Sequence, residues 1–297
     1  MFSAKFRKKS IGKMKHMLFL PVLLVPVVAL IMGASAPEVW ASGRYLGECD
    51  EFEIEEAAVF IEFNASDLDL GFHLSWDGDP YRSMTLKNEA GQTILNVLPR
   101  RYVRLRGLTQ TEIEGAEPGL CDEEMYPYGC EIDDENIMQG ITDFFNLHPA
   151  GLHTFKGIAA EERCLMEKQA TLTHNLLEPA ELHFGAFPLI TWDAPEGRLY
   201  GGPLEVDGYE IVVEMAVVNS PESVFKETAT FPGNIDPTEY TVSQEFQNFI
   251  EASIIAGIVT ELKVEIQARE PSGNLTSTEE EVCYEVVGEE VTYSECD

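Results

Sequence analysis

Between residues 51 and 107, apolar and polar positions alternate in short runs broken by turn residues. Val59, Ile61 and Phe63 alternate with Phe60 and Glu62, and residues 72–76 form a second run. Period-two spacing places alternate side chains on opposite faces of a strand. Asp77-Gly78-Asp79-Pro80 is a strong turn signal. Met84 and Leu86 predict a third strand, residues 88–91 a second turn, and residues 93–97 and 102–108 two further strands. This rhythm of strand and turn predicts an antiparallel sandwich.

The pattern changes at residues 117–134, which hold two cysteines, two prolines and seven carboxylates. An acidic surface loop is expected there. Asp133 or Asp134 can cap a short helix carrying Ile137, Met138, Ile141, Phe144 and Phe145 at helical spacing. Residues 152–157 and 170–175 predict a closing pair of strands, and Glu178-Pro179-Ala180 a linker.

At the N-terminus, residues 1–16 carry six basic residues and no acidic one, followed by an apolar run at 17–32 and then small residues. That is the layout of a secretory signal peptide. Cleavage after Ala41 is favoured over Ala36, which would leave Pro37 beside the cut. An uncleaved anchor is the alternative, weakened by Pro21 and Pro26 inside the apolar stretch. Removing residues 1–41 takes away six basic residues and one acidic, leaving 14 and 51, a net charge of −37. Such a chain is no phosphate-backbone binder, because nucleic acids and anionic lipid surfaces select basic surfaces. No nucleic-acid partner is expected, and no membrane contact once the leader is removed. The location expected is secreted or periplasmic.

The six cysteines all follow the leader: Cys49, Cys121, Cys130, Cys164, Cys283 and Cys296. An even count in an exported chain reads as disulfides. Proximity favours Cys121–Cys130 and Cys283–Cys296, which leaves Cys49–Cys164 to close a long loop. No CxxC spacing supports zinc.

Residues 181–287 resemble a fibronectin type III domain. Pro188-Leu189-Ile190-Thr191-Trp192-Asp193-Ala194-Pro195 resembles the first strands, and the resemblance implies a buried Trp192. Residues 204–214 resemble the third strand, with Tyr209 packing across the sheets. Residues 238–242, 262–268 and 272–274 resemble the fifth strand, the sixth strand and the turn into the last. One departure is Leu262, where the family usually has a tyrosine making a corner hydrogen bond. The whole layout also resembles a group of exported bacterial proteins that pair an uncharacterised β domain with one such domain. Phe63-Asn64-Ala65-Ser66-Asp67, Glu114-Gly115-Ala116-Glu117-Pro118, His148-Pro149-Ala150-Gly151 and Leu172-Thr173-His174 carry that likeness.

The expected organisation is therefore all-β: a signal peptide at 1–41, a β-sandwich-like domain at 48–178 with one short helix, a fibronectin-like sandwich at 181–287, and a disulfide-tethered tail at 288–297. Three groups carry candidate chemistry. Asn64, Asp67 and Asp69 follow a strand and offer oxygens to calcium, with Asp77 and Asp79 as further donors; their other reading is turn formation. No other cofactor is expected. Arg100, Arg101, Arg104 and Arg106 suit a docked carboxylate or phosphate. With 51 carboxylates at hand, pairing within the chain is the stronger expectation. His148, His153 and His174 flank one strand pair, at no recognised ligand spacing. No nucleophile motif is present. The function expected is a non-enzymatic binding or structural module with an unknown protein or polysaccharide partner. The alternative is a secreted hydrolase acting in the first domain.

Overall fold

The structure is a computed structural model and describes residues 47–117, 119–120, 135–217, 223–236, 238–257, 259–287 and 290–295. The expected leader, the loop carrying Cys121 and Cys130, and Cys296 lie outside the described residues.

In chain order the elements are β1 (Ile54–Asn64), β2 (Asp69–Gly78), β3 (Tyr81–Lys87), β4 (Thr93–Val97), α1 (Arg101–Arg106), β5 (Thr111–Glu114), α2 (Glu135–Leu147), β6 (Gly151–Ala159) and β7 (Leu165–Leu172). There follow β8 (Glu181–Ala186), β9 (Leu189–Asp193), β10 (Gly208–Val217), β11 (Ser223–Pro232), β12 (Glu239–Thr241), α3 (Gln244–Ile255), β13 (Val259–Arg269), β14 (Leu275–Val287) and β15 (Glu290–Glu295). The protein is all-β. The strands form three sheets, ordered β4-β3-β6-β7, β12-β9-β8 and β11-β10-β13-β14-β1-β2-β5, with β15 on β14.

Two hydrophobic cores fill the layers. The first gathers Val59, Ile61 and Phe63 from β1, Leu70, Leu74 and Trp76 from β2, Met84 and Leu86, Phe155, and Ile137, Ile141 and Phe144 from α2. The second surrounds Trp192 and Tyr209, whose rings meet edge to face at 5.5 Å. The alternation in the second half of β1 explains its place: Val59, Ile61 and Phe63 are buried, and Phe60, Glu62 and Asn64 face the other way. Cys49 and Cys164 are joined as expected, 5.0 Å apart at Cα. Cys283 is disulfide-bonded as well.

The long sheet crosses from one core to the other. β1 runs parallel to β14, pairing Glu62 with Leu275 and Asn64 with Ser277. Asn274, 1% exposed, fastens the seam beside them. Its side-chain oxygen accepts from the Ile61 N–H at 2.8 Å. Its amide donates to the Asn175 carbonyl at 2.9 Å and to Thr173 Oγ1 at 2.9 Å.

Three local expectations change. Residues 102–108 are not a strand: α1 occupies Arg101–Arg106. Leu and Arg are better helix than strand formers, and their apparent alternation is too short to decide the period. Gly107, at φ +82°, ends the helix, and a Cβ there would lie 2.6 Å from Pro80 Cβ. α3 is a second change. Ser243 caps it by accepting from the Phe246 N–H at 3.2 Å, and Phe246, Ile250 and Ile254 are its buried stripe. The stripe was readable, but the fibronectin-like strand order left no slot for it. Finally, residues 290–295, inside the expected tail, pair with β14 as β15.

Candidate functional site

The outer face of the long sheet collects carboxylates that its register brings together. Asp69, Gly71 and His73 share one face of β2, while Phe60, Glu62 and Asn64 share the matching face of β1. On β5, Glu114 pairs with His73. Glu265 of β13 pairs with Glu279 of β14 on the far side of the seam. Phe60 stacks on the His73 ring at 4.9 Å with 10° between planes, which fixes the imidazole.

At the centre, His73 Nε2 lies 3.4 Å from Glu62 Oε2 and 3.4 Å from Glu117 Oε1. The three ligand atoms all lie within 4.8 Å of one another. His73 Nε2 is buried and has no hydrogen-bond partner. Gly71 leaves the room for this approach. A Cβ there would stand 2.3 Å from Glu117 Oε1 and 2.5 Å from His73 Nε2.

Electrostatics sharpens the geometry. Burial, then the charges of Glu265, Glu117, Glu114 and Asp69, push Glu62 up to about 7. Burial, then Glu117, Asp67 and Glu279, push Asp69 up to about 6. Burial, then Glu114 and Asp67, raise Glu117. Burial holds His73 below its ordinary value against the opposing pull of Glu114. The 3.4 Å spacings would suit an imidazolium ion pair, but the burial argues for a neutral ring. A neutral ring adds no positive charge, and the cation at the edge of the cluster, Lys263, is paired with Glu279 and acts on Glu265 and not on Glu62 or Glu117.

Asn64, Asp67 and Asp69 lie at the rim of this cluster. The Asn64 oxygen accepts from the Ser66 and Asp67 N–H groups at 3.0 and 3.2 Å, and its amide donates to Asp67 Oδ2 at 3.1 Å. Asn64 is thus engaged in closing the turn, while Asp67 and Asp69 face Glu117. Asp77 and Asp79 sit at the other end of β2, about 30 Å away by strand rise. There Asp77 accepts from the Gly78 N–H and Asp79 from the Glu53 N–H. The structure does not bring them to Asp69.

The histidine trio packs rather than converges on one point. His148 stacks on Phe72, and His174 on Phe145. His174 Nε2 meets the His148 carbonyl oxygen at 2.8 Å, and His153 Nδ1 the Gly151 carbonyl oxygen at 3.1 Å.

Among the described residues, Arg100, Arg101, Arg104 and Arg106 form no ion pair. All four are exposed on or beside α1. Between them stand Tyr102, 82% exposed, and Leu105, 76% exposed, with Leu98 and Ile94 also open on the approach. α1 buries none of its own residues.

A cleft of about 480 Å³ opens at the seam, between Val59 and Phe60 of β1, Thr171 of β7, and Glu210, Gln267 and Arg269. It belongs to both halves, not to residues 50–178 alone.

Sequence reasoning found the rim residues and missed Glu62, His73 and Glu117. Those three are 11 and 44 positions apart, and only the β1–β2 register and the return of the chain after β5 join them.

No family model matches the chain, and no curated protein matches it. Solved structures similar to it include the tetra-tandem repeat in the extending region of a large adhesion protein, at 12% identity and a TM-score of 0.20, over 78% of this chain and 53% of that one. A bacterial ice-binding adhesin involved in host cell surface retention is similar at 10% identity and a TM-score of 0.20, over 77% of this chain and 63% of that one. The BSP domain of a biofilm-associated protein is similar at 9% identity and a TM-score of 0.22, over 82% and 62%. The chain spans between half and two thirds of the length of these structures.

Proposed function

We propose that this chain is an exported, non-enzymatic binding module that holds a uronate-bearing polysaccharide on the strip from Ile94 to Arg106. One observation carries the reading: four arginines stand exposed and without ion pairs among the described residues of a chain rich in carboxylates. Guanidinium forks match carboxylates in two parallel hydrogen bonds. The flat faces of Tyr102 and the side of Leu105, set between them, add apolar contact that a lone charge pair lacks. Export is supported by the leader-like first forty residues and by the Cys49–Cys164 bond. The fibronectin type III reading of residues 181–287 is supported by the sheets β12-β9-β8 and β11-β10-β13-β14 enclosing Trp192. The two cores, which divide between Leu176 and Leu177, support a boundary near the linker. As a module, the protein would present the strip from a rigid β scaffold.

The test is retention on immobilised polygalacturonate, with neutral dextran as control. Retention of the native protein should fall as salt rises and should vanish in the Arg101→Glu, Arg104→Glu double variant. Equal retention of native and double variant, or none by either, overturns the reading. Release of new reducing ends from the bound polymer would turn it toward the hydrolase.

A further inference from the structure

We propose that Glu62, His73 and Glu117 bind one divalent transition-metal ion, of the zinc class, on the outer face of the long sheet. The site stands independently of the arginine strip. Three features carry it.

The first is ligand geometry. A four-coordinate ion with bonds of about 2.1 Å holds neighbouring ligand atoms about 3.4 Å apart. His73 Nε2 stands 3.4 Å from an oxygen of each glutamate. That spacing is long for a hydrogen bond. It is the edge of a coordination polyhedron, and all three donors fall within 4.8 Å of one another.

The second is the orphaned nitrogen. His73 Nε2 is a buried polar atom without a hydrogen-bond partner. Most buried side-chain polar atoms are satisfied, and of the few here without a partner His73 Nε2 is the one set at the focus of two carboxylates. The partner that suits a neutral imidazole and two carboxylates together is a cation. The Phe60 ring, stacked on the imidazole at 4.9 Å, limits its rotation.

The third is the cradle. Gly71 sits directly beneath the focus, and the smallest side chain there would strike both His73 Nε2 and Glu117 Oε1. Gly71 is in extended backbone, so its lack of a side chain answers a need for space and not for an unusual φ.

The donor set also selects the ion. Calcium and magnesium prefer oxygen donors throughout. An imidazole with two carboxylates suits zinc or a neighbouring first-row ion, with water completing the coordination. Bound there, the ion would tie β1, β2 and the chain after β5 at one point. It would also neutralise carboxylates that now face each other.

The experiment titrates the chelator-treated, purified protein with zinc chloride by calorimetry, and with cobalt(II) read by its visible absorption. Binding of one ion per chain is expected, with a cobalt spectrum showing nitrogen and oxygen ligation. His73→Gln and Glu62→Gln should abolish it. Gly71→Ala, which touches no ligand chemically, should weaken it by roughly 10–100-fold. Circular dichroism of each variant establishes that it is folded, and Glu117→Gln supplies a separate ligand deletion should one of the others fail. Absence of stoichiometric binding overturns the site. So does binding unchanged in His73→Gln and Gly71→Ala. Calcium binding that survives His73→Gln and is lost in Asp67→Asn, Asp69→Asn would move the site to the turn and overturn it equally.

Discussion

Ile61 and Glu62 are neighbours on one strand, yet they look into opposite kinds of surroundings. The Ile61 N–H meets Asn274, whose side chain spends its hydrogen-bonding capacity on Ile61, Thr173 and Asn175. Glu62 meets an orphaned imidazole and four other carboxylates. Both regions are polar and largely withdrawn from water. In the first, donors and acceptors balance within the chain, which is what a buried polar group needs in order to hold a fold together. In the second they do not balance: Lys263 answers Glu279 and Glu265, while Glu62 and Glu117 face only like charges and a buried imidazole nitrogen. The first therefore reads as architecture and the second as a place prepared for something else.

Replacing Asn274 tests the architectural side and should have the largest effect. Asn274→Leu keeps the branched shape but leaves the Ile61 N–H and two carbonyl oxygens without partners, each worth about 1–3 kcal/mol. A loss of roughly 3–5 kcal/mol is expected by denaturant unfolding. A loss below about 1 kcal/mol would mean that the seam does not depend on this residue.

Replacing Glu62 tests the other side, with the opposite sign. In metal-free buffer at a pH above its raised value of about 7, Glu62→Gln removes one charge from a crowd of like charges. The melting temperature should rise, by an amount equivalent to about 1 kcal/mol. A fall of the same size would show that Glu62 is as well satisfied as Asn274.

Glu227 offers a smaller, pH-dependent control, because it is a carboxylate whose needs are met. Burial pushes it up, but hydrogen bonds from the Ser243 hydroxyl, Tyr240 and the Ser243 N–H outweigh burial and hold it below its ordinary value. A depressed carboxylate stabilises the fold above its unfolded value of 4.5, and that stabilisation is lost as the pH falls through its folded value. Glu227→Gln should therefore cost roughly half a kcal/mol at pH 7, after screening by solvent. Native and variant should converge below pH about 4.5 in a thermal series. A constant gap across that series would break the contrast with Glu62.

The two regions also differ in how far the sequence announces them. Alternation alone locates β1, β2 and β3, since Val59, Ile61, Phe63, Met84 and Leu86 are all buried. The expected burial of Trp192 and Tyr209 also holds. The helical stripe Ile137, Ile141, Phe144 is legible for the same reason, while Met138 turns outward. The seam is less legible, because nothing in Asn274-Leu275-Thr276 distinguishes a buried clasp from an exposed turn. The Glu62 cluster is not legible at all. Among 52 carboxylates, any particular two become meaningful only when strand register sets them beside one histidine. The arginine strip is visible as a group, but composition is blind to distance and does not say which carboxylates it meets.

The parallel union of β1 with β14 also sets an order of events during synthesis. Asn274 follows Ile61 by 213 residues. A ribosome adding roughly 5–20 residues per second makes the second partner some 10–40 s after the first. Throughout that interval the edge of β1 has no mate within the nascent chain, and the long sheet cannot close. For the exported module proposed above, lateness of this kind would postpone premature compaction. It also makes the interval the one in which β1, apolar on one face and unpaired along one edge, most needs shielding from other chains.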